Sequence, residues 1–331
     1  RMFPLRNTNL IFREKLRKLN KKIKESLSTL SGGKCLLTVK TNLTEAITDP
    51  TSGIQSLSGE SRAFIRNSLT RILFILSRGY QPFLGSFMNI ILTGPAGVGK
   101  TKLAKCIGFV YGKSGILLEG DLIILSPADM IGQHVGSTAI RTVGNLMKGL
   151  ENVILIDEAY QLTSCLNGQL QENMGSFSQE AITEIVNFLD KYVGFAVLVA
   201  AGYKREMNNC FLASNEGLPR RFPIQWDLPE YSIHELLNIF LDETTNRIKD
   251  IFNRETALII YKIMKYLVKE KKDVFQNQAG DIMNLVSFFI NIYYGDYKLT
   301  WDDGIISQRR IIVKMFNEFL KSKELVLKLE D

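Results

Sequence analysis

The sequence has few cysteines and histidines, and it lacks long apolar runs. A membrane-spanning helix needs about 20 consecutive apolar residues, and because no stretch has them, no membrane span is expected. The first residues lack the charged-then-apolar layout of a secretory signal. An initial Arg rather than Met suggests that the chain begins inside a longer one. We therefore expect a cytoplasmic or other reducing soluble compartment.

The cysteines and histidines show no spacing that is typical of a metal site. There is no CxxC pair, and the two histidines, His134 and His234, lie far apart. We expect reduced thiols rather than a zinc site or a disulfide framework. The four cysteines are Cys35, Cys106, Cys165 and Cys210.

The positive charge of the chain is concentrated at its start. Residues 1–40 hold eleven of the 41 basic residues and two of the 34 acidic ones, so the remainder is close to neutral. Two interpretations of this basic arm are open. It either contacts nucleic acid or another acidic surface, or it is an amphipathic helix at 10–30 that packs on a neighbour. Few aromatic residues accompany the charges, which favours the helix.

Short apolar runs alternate with helical stretches in the middle of the chain. The runs are apolar at nearly every residue, which is typical of parallel strands covered on both faces. The candidate strands are Met88–Thr93, Leu122–Leu125, Val153–Ile156, Ala196–Ala200 and Ile224–Leu228. The candidate helices between them are 100–112, 138–150, 179–192 and 204–212.

Helical patterns occupy both ends of this region. A linker rich in Thr, Ser and Gly at 41–59 precedes a predicted helix at 61–78. After Pro229 the strands stop, and four segments read as helices: 232–250, 255–270, 279–294 and 306–325.

A glycine-rich motif follows the first candidate strand and leads into a helix. Its pattern, G-x-x-x-x-G-K-T, is that of a P-loop, whose backbone N–H groups hold phosphates. Lys100 is expected to reach the β- and γ-phosphates of ATP, and the Thr101 hydroxyl to bind Mg²⁺. The candidate nucleotide-binding run is Gly94, Pro95, Ala96, Gly97, Val98, Gly99, Lys100, Thr101 and Lys102.

Two carboxylates follow the candidate strand Val153–Ile156, about fifty residues after the P-loop motif. Asp157 is expected to hold Mg²⁺, and Glu158 to orient and polarise the attacking water. This pair predicts hydrolysis of ATP rather than simple binding. The sequence thus predicts an α/β P-loop NTPase, with a parallel five-stranded sheet flanked by helices and followed by a smaller all-α lid domain. The expected parts are a basic helix and linker at 1–59, the nucleotide-binding domain at 60–230, and the helical domain with its C-terminal tail at 231–331.

Several further segments resemble the CbxX/CfqX family of AAA+ ATPases. The matches follow the family's order over residues 88–230. They are D-M-I-G-Q-H-V-G-S-T-A at 129–139, I-D-E-A-Y-Q-L at 156–162, Q-E-A-I at 179–182, A-G-Y-K-R-E-M at 201–207 and N-E-G-L-P-R-R-F at 215–222.

This resemblance implies an oligomer and a protein client. Arg221, with Arg220 as a second candidate, matches the arginine that reaches the nucleotide of the next subunit, which implies a hexameric ring. His134, Val135 and Gly136 match the pore loop that grips a threaded polypeptide, with His where the family has Tyr. The family includes the red-type rubisco activases, but the client of this chain is not specified by these residues.

Two positions depart from the general AAA+ pattern. The strand that usually ends in a polar sensor residue runs here into Gly202 and Tyr203. Tyr203 either places its hydroxyl near the γ-phosphate or packs in the core. The lid stretch at 277–281, N-Q-A-G-D, lacks the usual sensor arginine.

Three functions follow from these observations. The leading one is an ATPase that remodels or partly threads a protein client. The alternatives are a nucleic-acid-associated motor or loader that uses the basic arm, and a nucleotide-switched scaffold with little turnover. The intact acidic pair opposes the scaffold, and the neutral body of the chain opposes the nucleic-acid motor.

Overall fold

A computed structural model gives the architecture. It describes residues 57–329 apart from 78–87, 114–115, 133, 135, 172–174, 249–251, 296–300, 302–303 and 326–328, together with positions 45, 49, 53 and 54. The predicted basic helix at 10–30 and most of the predicted linker lie outside the described residues. Within the described ranges, no helix is long and apolar enough to cross a membrane.

The strands form one parallel sheet and one small hairpin. They are β1 (Ile90–Thr93), β2 (Leu122–Leu125), β3 (Val153–Ile156), β4 (Cys165–Leu166), β5 (Gln169–Leu170), β6 (Val197–Gly202) and β7 (Ile224–Asp227). β4 and β5 pair as an antiparallel hairpin, and the other five strands form the sheet in the order β2-β3-β6-β1-β7. β1, β3 and β6 are buried at every residue, which explains their uninterrupted apolar sequence. The predicted parallel five-stranded sheet is confirmed.

Helices cover both faces of the sheet. In the α/β part they are α1 (Gly59–Ser77), α2 (Lys100–Lys113), α3 (Pro127–Met130), α4 (Ser137–Lys148), α5 (Ser176–Lys191), α6 (Lys204–Glu206) and α7 (Leu218–Arg221). Because successive side chains of a strand point to opposite faces, Ile90 and Leu92 lie in one core with residues of α1 and α2. Ile91 lies in a second core with residues of α4 and α5.

The C-terminal region is helical, as predicted. It contains α8 (Ile233–Arg247), α9 (Arg254–Glu270), α10 (Ala279–Tyr294) and α11 (Ile305–Ser322), which share their own hydrophobic core. Ser232 and Glu235 form a reciprocal capping box at the start of α8. Glu235 also accepts a hydrogen bond from the Gly59 N–H, at 3.1 Å, so this cap ties α8 to the start of α1.

The expectation of reduced cysteines is wrong for two of the four. Cys165 in β4 and Cys210 form a disulfide, with their Cα atoms 5.6 Å apart. The two cysteines are 45 residues apart in the sequence, so no local pattern identifies them as a pair. They meet because the fold places the β4–β5 hairpin against the segment after β6. Cys106 on α2 is a buried thiol, and Cys35 lies outside the described residues.

Some predicted helices have different bounds in the structure. The helix predicted at 204–212 is divided into α6, a π-helical turn at Met207–Phe211 and a 3-10 turn at Leu212–Ser214. The sequence analysis also missed α3, α7 and the hairpin, which are too short to show a hydrophobic period.

Candidate nucleotide site

Three neighbouring strands of the sheet end at the candidate site. The P-loop run follows β1, the acidic pair follows β3, and Tyr203 follows β6. Because these strands are parallel and adjacent, their carboxyl ends meet at the same edge of the sheet. The topology therefore brings together three segments that are far apart in sequence.

The P-loop has the backbone shape that phosphate binding needs. Gly94, Gly97 and Gly99 have φ values of 146°, 74° and 88°, a region that side chains with a Cβ rarely adopt. The loop ends where α2 begins, at Lys100. Backbone N–H groups of the loop and of the first turn of α2 can thus face one anion.

Lys100 is held inside this loop. Its Nζ donates to the carbonyl oxygens of Gly94 and Pro95, at 2.8 and 2.9 Å, and the residue is only 8% exposed. Burial lowers the pKa of Lys100, while the negative charges of Glu158 and Asp157 act in the opposite direction. The two carboxylates are therefore close enough for their charge to act on the ammonium group.

Glu158 adopts a strained conformation at the end of β3. Its φ and ψ are 50° and 46°, which are unusual for a residue other than glycine. Its N–H donates to Asp157 Oδ1 at 3.2 Å. Its Oε2 is buried and, among the residues that the structure describes, accepts no hydrogen bond. Both features are typical of functional positions, because strain and unpaired polar atoms cost stability.

Thr101 and Asp157 suit a magnesium ion that arrives with a nucleotide. Within the described ranges no group of three or more His, Cys, Asp or Glu residues could hold a metal by itself. Magnesium usually keeps several waters and binds one or two carboxylates together with substrate phosphates. Thr101, in the first turn of α2, is exposed, and Asp157 is half-buried, so both can contribute oxygens.

Two tyrosines lie beside the acidic pair. Tyr203 is 42% exposed, and the Lys100 Nζ stands 5.5 Å from the centre of its ring. Tyr160 lies 6.3 Å from Tyr203, centre to centre. Burial raises the pKa of Tyr160, and the hydrogen bonding and charge of Glu158 raise it further. Of the two interpretations of Tyr203, its exposure favours a role at the site over one in the core.

The helical region docks directly on the P-loop. The Tyr231 hydroxyl donates to the Val98 carbonyl at 2.9 Å, and the Ala279 N–H donates to the Gly97 carbonyl at 3.3 Å. Gln278 supports this arrangement by accepting a hydrogen bond from the Tyr231 N–H at 2.9 Å. These contacts use loop carbonyls rather than N–H groups. The lid stretch without an arginine thus contacts the P-loop through its backbone.

The two candidate arginines have different surroundings. Arg221 is 3% exposed, its Nε donates to Asp190 Oδ1 at 2.8 Å, and its Nη1 donates to the Gly217 carbonyl at 2.7 Å. The hydrogen bond and charge of Arg221 lower the pKa of Asp190. Arg220 is exposed. Arg221 is therefore engaged within its own chain, whereas Arg220 is free of such burial and faces solvent.

The predicted pore-loop residues lie just before α4. His134 is exposed, and its carbonyl accepts hydrogen bonds from the Ser137 N–H and hydroxyl, at 3.1 and 2.6 Å. Gly136 has a φ of 78°, and Val135 lies outside the described residues. Among the described residues of this segment, His134 is therefore exposed and is joined to the start of α4 through Ser137.

Sequence reasoning missed several residues around the site. Tyr231, Gln278 and Asp190 act through contacts across the fold, and no local motif contains them. Tyr160 lies inside a segment that the resemblance had identified, but without an assigned role. The feature of Tyr160 that could have indicated a place at the site is its position two residues after Glu158, near the start of a 3-10 turn.

Comparisons with known proteins agree with this geometry. Residues 90–225 match the family described as "ATPase family associated with various cellular activities (AAA)". The chain is 36% identical over 152 residues to stage V sporulation protein K of Bacillus subtilis, covering 46% of this chain and 45% of that protein. It is 33% identical over 163 residues to protein CbxX of Cupriavidus necator, covering 49% of each.

A third relative is larger. The ESX-3 secretion system protein EccA3 of Mycobacterium leprae is 33% identical over 151 residues, which cover 46% of this chain and 22% of that protein. The chain thus spans less than half the length of these three curated relatives.

Proposed function

We propose that this chain, whose residues 90–225 match the AAA family of ATPases and which is similar to CbxX-type relatives, uses ATP hydrolysis to remodel a protein client within an oligomeric ring. The observation that carries this proposal is the meeting of the P-loop, Asp157–Glu158 and Tyr203 at one edge of the sheet. That arrangement supplies the groups for binding and hydrolysing a nucleoside triphosphate.

Each group has a separate role in the proposed hydrolysis. The P-loop N–H groups and Lys100 bind the β- and γ-phosphates, so Lys100 exchanges its contacts with Gly94 and Pro95 for phosphate oxygens. Thr101 and Asp157 would hold Mg²⁺, whose positive charge would offset the charge on the phosphates. Glu158 orients the attacking water and accepts its proton at a carboxylate oxygen.

The proposed ring depends on an arginine that acts between subunits. Arg220 extends from α7 into solvent, whereas the neighbouring Arg221 anchors α7 to Asp190. In a ring, Arg220 of one subunit would stabilise the charge on the γ-phosphate that is bound by the next. We propose a hexamer, the assembly implied by the resemblance.

The proposed client is a polypeptide. His134 lies in an exposed turn that matches the family's pore loop, and one relative is named as a secretion system protein. Movement of the lid, which contacts the P-loop at Gly97 and Val98, provides a route by which nucleotide state can alter subunit geometry. The identity of the client is not part of this proposal.

Steady-state ATP hydrolysis measured against protein concentration tests the proposed function. We expect the turnover per subunit to rise with concentration as the ring assembles, and to rise again when an unfolded polypeptide is added. Glu158→Gln serves as the inactive control. Turnover equal to that control at every concentration, with or without polypeptide, would favour the nucleotide-switched scaffold. Stimulation by DNA or RNA alone would favour the nucleic-acid motor.

Substitution of the two arginines should separate structural and catalytic roles. Arg220→Ala is expected to lower turnover about tenfold to hundredfold, which is the effect of losing a hydrogen bond to a charged group. It should leave the melting temperature unchanged. Arg221→Ala removes three part-buried hydrogen bonds, two to Asp190 and one to the Gly217 carbonyl, so it should lower the free energy of unfolding by about 1–3 kcal/mol. Calorimetry and the hydrolysis assay measure both effects.

A mixing experiment checks that Arg220 acts between subunits. Arg220→Ala subunits keep Glu158, and Glu158→Gln subunits keep Arg220, so mixed rings should contain some complete sites and recover activity. The assignment is contradicted if mixtures stay inactive, or if Arg221→Ala alone abolishes hydrolysis in a stably folded protein.

A further inference from the structure

The segment of the lid that contacts the P-loop has a strained backbone. This lid turn, residues 277–280, lies between a 3-10 turn at Lys272–Phe275 and the first residues of α10. Within it, Gln278 has φ and ψ of 49° and −120°, a region that residues other than glycine rarely adopt. Such a conformation costs stability and persists only where surrounding contacts fix it. The lid turn therefore depends on the contacts that hold its shape.

Asp281 holds the lid turn from the first turn of α10. The Asn277 N–H donates to Asp281 Oδ2 at 2.8 Å, and the Asn277 Nδ2 donates to Asp281 Oδ1 at 3.3 Å. The Asn277 carbonyl accepts a hydrogen bond from the Gly280 N–H at 2.9 Å. The same carbonyl oxygen lies against Gly97, where a Cβ would approach it to 1.9 Å. Asp281 thus fixes a residue of the lid turn that packs directly on the P-loop.

Lys323 supplies the positive charge that this carboxylate needs. Asp281 is fully buried, and burial of a carboxylate is costly unless the charge is paired and hydrogen-bonded. The Lys323 Nζ lies 2.7 Å from Asp281 Oδ2, the oxygen that also accepts from the Asn277 N–H. Because Lys323 directly follows α11, this ion pair joins the end of α11 to the start of α10.

The position of Lys323 is itself fixed by packing. Its N–H donates to the carbonyls of Phe319 and Leu320, at 3.2 and 3.1 Å, and its Nζ lies 5.7 Å from the centre of the Phe319 ring. Phe319 stacks on Phe275, just before the lid turn, with ring centres 5.7 Å apart. The Lys323 side chain is 21% exposed. The ammonium group is therefore held at Asp281 by the folded end of α11.

We propose that Lys323 is a positioning residue for ATP binding, which acts through Asp281 to hold the lid turn against the P-loop. This inference rests on the proposed function and adds to it. Asp281 fixes Asn277, and two residues later the Ala279 N–H donates to the Gly97 carbonyl at 3.3 Å. The end of α11 thereby sets the affinity of the P-loop for nucleotide through the lid turn.

The ion pair also bears on the lid stretch that lacks the usual sensor arginine. Residues 277–281 contain no Arg or Lys of their own. Lys323 brings a cation to this stretch from the end of α11, and that cation is paired with the buried Asp281 carboxylate. Its role is therefore to fix the turn rather than to contact phosphate.

Lys323→Met tests the inference, since it removes the ammonium group and keeps a long side chain that can pack on Phe319. Isothermal titration should show the Kd for a slowly hydrolysed ATP analogue rising about fivefold to fiftyfold, within the range typical of couplings between sites. Because the proposed hydrolysis groups stay in place, the KM for ATP should rise while kcat stays within about twofold. Lys321→Met is the matched control, because Lys321 is an exposed lysine in the last turn of α11, and it should keep the wild-type Kd.

Two further variants separate positioning from a general loss of stability. Lys323→Arg keeps a cation beside Asp281 and should restore most of the affinity. Asp281→Asn combined with Lys323→Met removes both charges, so no unpaired carboxylate is left buried and the double variant should fold. It should bind the analogue about as weakly as Lys323→Met, because both lack the link between α11 and the lid turn. A purely structural role would lower the melting temperature but leave the Kd of the folded protein unchanged.

The inference is overturned if folded Lys323→Met binds the analogue as tightly as Lys321→Met. It is also overturned if the double variant binds as tightly as the wild type, and this second result decides the matter if Lys323→Met does not fold.

Failure of this inference can be told apart from failure of the proposed function, because the binding assay requires no turnover. If the wild type binds the analogue but does not hydrolyse ATP, the proposed function fails and the Kd values still measure the role of Lys323. If the wild type hydrolyses ATP and the double variant binds as tightly as the wild type, only the role of Lys323 is wrong.

Discussion

Replacing Glu158 with glutamine should lower the turnover of ATP by about a thousandfold, within the range of 10²–10⁴ that general acid–base groups contribute. The amide has the size of the carboxylate but cannot take a proton from water. The affinity for ATP should stay near that of the wild type, because the P-loop supplies the phosphate contacts. The Glu158→Gln protein is therefore expected to bind ATP without hydrolysing it.

Two measurements are needed to check this result. Hydrolysis is followed by phosphate release, and binding by a fluorescent ATP analogue. Glu270→Gln is the matched control, since Glu270 is an exposed glutamate at the end of α9, and it should leave both quantities unchanged. Substantial turnover by Glu158→Gln would assign proton transfer to another group.

Replacing Gly97 with alanine should abolish productive nucleotide binding, with affinity falling by at least about a hundredfold. Gly97 has a φ of 74°, and a Cβ there would lie 1.9 Å from the carbonyl oxygen of Asn277. That atom belongs to the backbone of the lid, so either the lid or the P-loop must move. The unfavourable φ adds strain of its own, of order 1 kcal/mol.

Gly144→Ala is the matched control for this substitution. Gly144 lies within α4, and a Cβ there meets no atom within 4 Å, so alanine should be neutral or slightly stabilising. Isothermal titration with a slowly hydrolysed ATP analogue gives both affinities. If Gly97→Ala binds as tightly as Gly144→Ala, the close contact between the lid and the P-loop does not matter for binding.

The sequence predicted those features that depend on local pattern. Buried parallel strands are apolar on both faces, so Val153–Ile156 and its neighbours were recognisable without a structure. The P-loop and the acidic pair were recognisable because their chemistry requires fixed residue types at fixed spacing. The site residues themselves stay predictions until they are substituted.

Features that depend on the assembled fold could not be predicted. The partner of Arg221 is Asp190, on a different helix, and nothing in the R-R-F segment distinguishes the buried arginine from the exposed one. The Cys165–Cys210 disulfide and the contact of Tyr231 with Val98 likewise join segments that are distant in sequence. Such pairs follow from packing rather than from local propensity.

The contacts of the lid with the P-loop carbonyls make lid position and phosphate affinity thermodynamically linked. The carbonyl of Gly97 shares a peptide unit with the N–H of Val98, and the carbonyl of Val98 shares one with the N–H of Gly99. A peptide whose oxygen accepts a hydrogen bond is polarised and becomes a stronger donor at its nitrogen. Under the proposed function, a docked lid would strengthen the N–H donors of the loop. Bound phosphate would then tighten the lid by the same factor by which the lid tightens phosphate.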